Sequence, residues 1–129
     1  MRYLGADWLA AIAAAATSDV RAVELARTHR VTLSQTVTGT PHGDVRYHLT
    51  TRDGALVVAA GPASDPDVEF VQDWDTAVAV ATGALGAQEA FISGRIRFSG
   101  DHQRLIDAAP LFAALDAAFD AVNARTRFA

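Results

Sequence analysis

The chain has 129 residues, 50% of them hydrophobic and 20% charged, with a formal net charge of -4 at pH 7. That is the size of one domain, residues 1–129, with enough apolar mass for a core, and its acidic balance argues against a nucleic-acid partner. The absence of cysteine excludes disulfides, thiolate nucleophiles and Cys-ligated metal, and because all 11 basic residues are arginine it also lacks a Schiff-base or P-loop lysine.

Arg2 ahead of the apolar run Trp8–Ala16 superficially resembles a secretion signal, but Asp7 heads the run and alanine dominates it, which predicts an amphipathic helix. No stretch approaches the roughly 18 uninterrupted apolar residues of a membrane span, and the expected location is the cytoplasm. Over residues 6–16, Trp8, Leu9, Ile12 and Ala16 share one helical face. Thr17 and Ser18 then interrupt, and Ser18 is expected to cap a second helix through Arg27 with Val20 and Val23 on its buried side. From Val31 the period changes. Val31, Leu33, Gln35 and Val37 alternate with Thr32, Ser34, Thr36 and Thr38, which predicts a half-buried strand. Residues 39–44 carry turn chemistry, and Val45, Tyr47 and Leu49 alternate with Arg46, His48 and Thr50 in a second strand. Asp53-Gly54 is a hairpin signal leading to a third strand over 55–60, so the three form an antiparallel meander.

Gly61-Pro62 and Asp65-Pro66 mark a loop before a fourth strand over 67–72, with Val68, Phe70 and Gln72 on one face. Asp73 or Asp75 caps a helix ending near Gly83, and a short helix over 86–93 ends at Gly94. Ile96 and Phe98 alternate with Arg95, Arg97 and Ser99 in a fifth strand. Asp101 caps the next helix, and Pro110 suits the first turn of a last one bearing Leu111, Phe112, Leu115, Phe119 and Val122. Strands with one apolar face need a cover, which the helices supply. Gln35, Tyr47 and Gln72 fall in phase with that apolar face. A buried amide or phenol needs a partner: backbone, water, or the polar head of a ligand. The helices are short and alanine-rich, so the space over the sheet is either an ordinary packed core or a cavity.

Catalytic motifs are missing. His29, His42, His48 and His102 form no H-x-x-x-H, the serines lack a nucleophile elbow, and Gly83-x-x-Gly86 is no dinucleotide fingerprint. No catalytic residue, metal ligand or cofactor is therefore assigned.

Residues 66–101 carry a more specific pattern. It comprises the strand Pro66-Asp67-Val68-Glu69-Phe70, a capped helix to Gly83, and then Ala87-Gln88-Glu89-Ala90-Phe91-Ile92-Ser93-Gly94-Arg95-Ile96-Arg97-Phe98-Ser99-Gly100-Asp101. This order of elements resembles the sterol carrier protein type 2 family of lipid-binding domains, over about residues 20–120. Residues 1–18 lie outside the pattern, and the strands from 31 to 60 are similar only in kind. The resemblance implies an α+β fold: a five-stranded, mostly antiparallel sheet covered by about five helices, with an apolar tunnel between the layers. It implies that Phe70, Trp74, Val78, Phe91, Ile96, Phe98, Leu111, Phe112 and Leu115 line or flank that tunnel, with Gln35 and Tyr47 joining them on phase.

The function so implied is non-catalytic binding and intracellular carriage of an apolar small molecule or lipid: a fatty acid, fatty acyl-CoA, sterol or similar. Arg95, Arg97 and Arg104 are candidates to hold an anionic head at the mouth. One alternative is a small isomerase, cyclase or dehydratase acting on an apolar substrate in the same cavity, with His48 and Asp44 as first suspects for the base. Another is an interaction module with an apolar groove. A homodimer stays open.

Overall fold

The alternating stretches become strands because β-branched and aromatic residues fill one face while threonine, arginine and glutamate meet solvent on the other. The computed structural model describes residues 1–52 and 54–128. Among them β1 (Thr32–Thr40), β2 (Gly43–Arg52), β3 (Ala55–Ala60), β4 (Val68–Asp73) and β5 (Arg97–Gly100) form one sheet in the order β3-β2-β1-β4-β5. β1 runs parallel to β4, and every other pairing is antiparallel, as expected for a mostly antiparallel sheet. In register, Leu33, Gln35 and Val37 stand beside Leu49, Tyr47 and Val45 on one side and Val68, Phe70 and Gln72 on the other. Paired residues point the same way, so these nine share the inner face, with Val58 and Phe98 beyond them. The chain from β3 to β4 crosses the outer face, where the Ser34 hydroxyl accepts from the Ala63 N–H at 3.1 Å.

Helices cover the inner face: α1 (Ala6–Ser18), α2 (Val20–Ala26), α3 (Trp74–Ala81), α4 (Ala87–Ile92), α5 (His102–Asp107) and α6 (Ala109–Asn123). Among the described residues this α+β arrangement has one helix more than the five expected. Aspartates start three of them. The carboxylates of Asp19, Asp73 and Asp101 accept from the backbone N–H of Ala22, Thr76 and Arg104 at 2.9, 2.8 and 3.1 Å.

The structure corrects several expectations. α1 does not stop at Ala16; the hydroxyls of Thr17 and Ser18 donate to the carbonyls of Ala13 and Ala14 at 2.9 and 2.7 Å, and the helix continues through them. Asp19, not Ser18, caps α2. Val20 is 80% exposed, and Ala22 and Ala26 face inward in its place, because only small side chains let α2 lie against both α1 and α6. β1 and β4 begin one residue later than expected, and β5 begins at Arg97, leaving Ile96 buried just ahead of it. Of the hairpin signal Asp53-Gly54, Asp53 lies outside the described residues, and Gly54 has φ 80°.

The core falls into two clusters. One gathers Val31, Leu33, Leu49, Val68, Leu111 and Leu115 with the alanines of α1 and α2. The other gathers Tyr3, Trp8, Ile12, Val37, Ala77 and Val122. Gly100 closes the sheet beneath the first cluster at φ 114°, where a Cβ would press into the Asp67 carbonyl. Gly83 also has positive φ, 82°, but open space around its Cβ position. Gly100→Ala is therefore expected to lose at least about 2 kcal/mol more stability than Gly83→Ala in urea unfolding. Equal losses would show that the close approach at Gly100 is not a constraint.

Candidate ligand-binding site

The two clusters meet at one row of the sheet. Leu33, Leu49 and Val68 belong to the first cluster and Val37 to the second; between them stand Gln35, Tyr47 and Phe70 in direct register. Gln72 adjoins Val37, diagonally from Gln35. The Oε1 atoms of Gln35 and Gln72 are both buried, with no hydrogen-bond partner among the described residues. Such an oxygen left unpaired costs about 1–3 kcal/mol. Tyr47 packs edge-on to Trp8, ring centroids 5.6 Å apart. Burial pushes its phenol well above the ordinary range, and the charges of Tyr3 and Asp116 push the same way.

α6 spans the seam from above. Leu111 and Leu115 reach the first cluster, Val122 reaches the second, and Phe119 packs against both. The α6 backbone lies close to α1, α2 and α5, and its side chains reach the sheet through both clusters. Asp116 sits within this span. The residue is exposed, and partial burial of its carboxyl pushes the pKa up to about 6, with Asp120 one turn on adding to the effect.

At the β4–β5 corner three half-buried phenylalanines converge. Phe70 meets Phe91 at 5.6 Å and Phe98 at 6.0 Å, and Phe91 meets Phe98 at 6.0 Å. His102 lies 4.4 Å from Phe98, ring to ring. Phe112 is half-buried against the first cluster. Of the other residues expected to line a tunnel, Leu111, Leu115 and Ile96 are buried. Trp74 and Val78 lie with the second cluster, Trp74 against Tyr3 at 5.6 Å.

Sequence reasoning missed Tyr3, which stacks among Trp8, Trp74 and Phe128. It expected Trp8 in the first helix, but not that its indole N–H would donate to Asn123 of α6 at 3.2 Å. His48 and Asp44, the suspects for a base, do not face the seam. His48 is on the outer face with its Nδ1 2.8 Å from the Gly61 carbonyl oxygen, and Asp44 accepts from the Gly39 N–H at 3.0 Å. The arginines also stand elsewhere. Arg104 donates to the Arg30 carbonyl at 2.7 Å and lies 3.9 Å from Asp67. Arg95 donates to the Thr76 hydroxyl at 3.2 Å, and Arg97 pairs with Val71 on the outer face. Two open surface hollows share Thr28, His29 and Arg30 at the far end of the sheet, outside the interlayer space. Among the described residues no three His, Asp or Glu side chains gather as metal ligands, and no helix is long and apolar enough to cross a membrane.

The model of the SCP-2 sterol transfer family matches residues 10–113. The match begins inside α1, so part of the leading segment thought to lie outside the pattern belongs to it. No curated protein matches the chain by sequence. Among solved structures it is similar to one from Thermus thermophilus named as a candidate sterol carrier protein, with TM-score 0.73 and 20% identity over 95% of this chain and 90% of that one. It is similar to sterol carrier protein 2 from Yarrowia lipolytica in its apo form, with TM-score 0.64 and 17% identity over 85% and 88%. It is also similar, over 73% of its length, to 14% of the inverting sec-alkylsulfatase of a Pseudomonas species, with TM-score 0.51 and 23% identity. At these identities the likeness establishes the fold.

The Asp116 carboxyl gives a pH signature. Its pKa is higher folded than unfolded, so its contribution to stability is fully present below pH 3.8 and is lost as pH rises through about 6. Asp116→Asn should therefore unfold at higher urea than the parent chain above that pH, and the advantage should vanish in acid. An advantage independent of pH would contradict the crowded carboxyl.

Proposed function

Because the chain belongs to the SCP-2 sterol transfer family, we propose that it holds one lipid-like molecule between the inner face of its sheet and the layer of α4, α5 and α6, and carries it unchanged. One observation above all supports this reading: Phe70, Phe91, Phe98 and Phe112 stay half-buried between the layers. Aromatic side chains at a finished core interface would be sealed from solvent. Here they offer an apolar wall that an acyl chain or sterol ring would complete, making the space between the layers a tunnel when occupied.

The energetics favour such a guest. Each buried methylene is worth about 0.8 kcal/mol, so a long chain outweighs the cost of association and needs no strong polar contact. Phe70, Phe91, Phe98, Phe112 and Ile96 would touch the chain, with Leu111 and Leu115 behind them. Gln35 and Tyr47 would meet its polar end. Trp74 and Val78 would close the far side through the second cluster. Fatty acids, fatty acyl-CoA and sterols all have the required apolar body, and the setting is the cytoplasm. All the residues named for this role come from one chain.

The carrier reading is tested by titrating delipidated protein with a fluorescent fatty-acyl probe. Saturable one-to-one binding is expected. Phe98→Ala should weaken it by about tenfold, the loss for trimming one buried aromatic, whereas exposed Ile92→Ala should not change it. Absence of saturable binding, or a Phe98→Ala chain that binds as well as the parent, would remove the proposal.

A further inference from the structure

We infer that the open hollow between the end of α2 and the β2–β3 hairpin is a second ligand site, and that it takes a phosphate monoester group, either free or as the head of a lipid. The site is separate from the space between the layers, so it stands or falls apart from the carrier reading.

Positive charge is concentrated there in an acidic chain. The net charge is -4 at pH 7, yet Arg27, Arg30 and Arg52 line one hollow of about 270 Å³ together with Thr28, His29 and Thr51. Among the described residues no carboxylate lines it, and none of these arginines forms an ion pair. Counting the charge of Asp53, which follows Arg52 in sequence, two positive charges remain in excess. The negative end of the α2 dipole accounts for Arg27, which closes that helix, but not for Arg52, which comes from β2.

The backbone that carries these cations is fixed. Thr51 is 1% exposed. Its hydroxyl accepts from the Val31 N–H at 2.9 Å and donates to the His29 carbonyl, and its own N–H donates to the Val31 carbonyl at 2.9 Å. These bonds clamp residues 29–31 onto the end of β2 and set Arg30 near Arg52. From the other side the Arg30 carbonyl accepts from Arg104 at 2.7 Å. The Arg27 stem lies against the hairpin, its Cγ 3.7 Å from where a Cβ on Gly54 would stand.

Neighbouring guanidinium groups repel, and an anion among them removes that repulsion while accepting their hydrogen bonds. A phosphate monoester carries about -1.5 to -2 charge at pH 7 and three strong acceptor oxygens. That charge matches the excess, and the planar fork of an arginine meets two of the oxygens at once. The hollow is smaller than the roughly 300–1,000 Å³ of pockets that enclose a whole drug-sized ligand. It therefore suits a small anion or a protruding head.

The test is titration of the full-length protein with glycerol 3-phosphate, followed through the arginine side-chain NMR signals. Saturable shifts confined to the lining arginines are expected. Arg30→Gln and Arg52→Gln should each weaken binding by about tenfold, and Arg52→Lys by less. Arg21→Gln, on the exposed side of α2 and outside the hollow, should leave it unchanged. An unchanged urea midpoint confirms that each variant folds. Co-sedimentation with phosphatidylcholine vesicles, with and without phosphatidic acid, separates the two sources. Draw-down that needs phosphatidic acid and is lost in Arg52→Gln identifies a lipid head; protein left in solution identifies a soluble monoester. Absence of saturation, binding unmoved by Arg30→Gln and Arg52→Gln, or equal weakening by Arg21→Gln would overturn the inference.

Discussion

A sheet that buries one face needs an apolar partner opposite every inward side chain, and at its middle row this sheet does not supply one. Gln35, Tyr47 and Phe70 occupy that row in direct register, with Gln72 diagonal to them. Hydrophobic burial is non-directional and would close the core over Leu33 and Val37 alike. An amide between them cannot be desolvated without a hydrogen-bond partner. The core therefore condenses at the two ends, around Leu33 and Leu111 at one and around Val37 and Trp8 at the other. The helix above reaches both ends through Leu111, Leu115 and Val122.

The remaining features follow from that division. Phe119 touches both clusters and ties the halves together. Trp8 anchors the N-terminal helix to α6 through Asn123 and covers Tyr47, so the end nearest the termini is closed by aromatic rings. The β4–β5 corner is left less covered, since α4 and α5 are only six residues each and bring few apolar groups to it. There Phe70 and Phe98 of the sheet pack against Phe91 of α4 and against each other. An apolar molecule entering at that corner would meet their faces first and the polar row last.

Much of this was legible in the residues. Alternation through Leu33–Val37 and Val45–Leu49 set the strands and their inward faces, and the resulting register is what the structure has. Asp73 and Asp101 announced their helices because a carboxylate ahead of a helical run can serve one purpose well. Gln35, Tyr47 and Gln72 stood out of character on the apolar face, and the register keeps them there. The failures have causes too. Val20 looked more buriable than Ala22, but packing between helices rewards the small side chain, and hydrophobicity alone ranks the two the wrong way. Tyr3 joins Trp8 and Phe128 because the chain's two ends pair, with the Tyr3 N–H donating to the Arg127 carbonyl at 3.0 Å, a contact too distant in sequence to read.

The central claim is where the guest lies. Intermolecular NOEs between isotope-labelled protein and a bound long-chain lipid locate it. Contacts are expected from the lipid methylenes to the ring protons of Phe70, Phe91 and Phe98 and to the Leu115 methyls. Contacts confined to exposed side chains such as Val20, Ile92 and Ile106, with none to those rings, would contradict it.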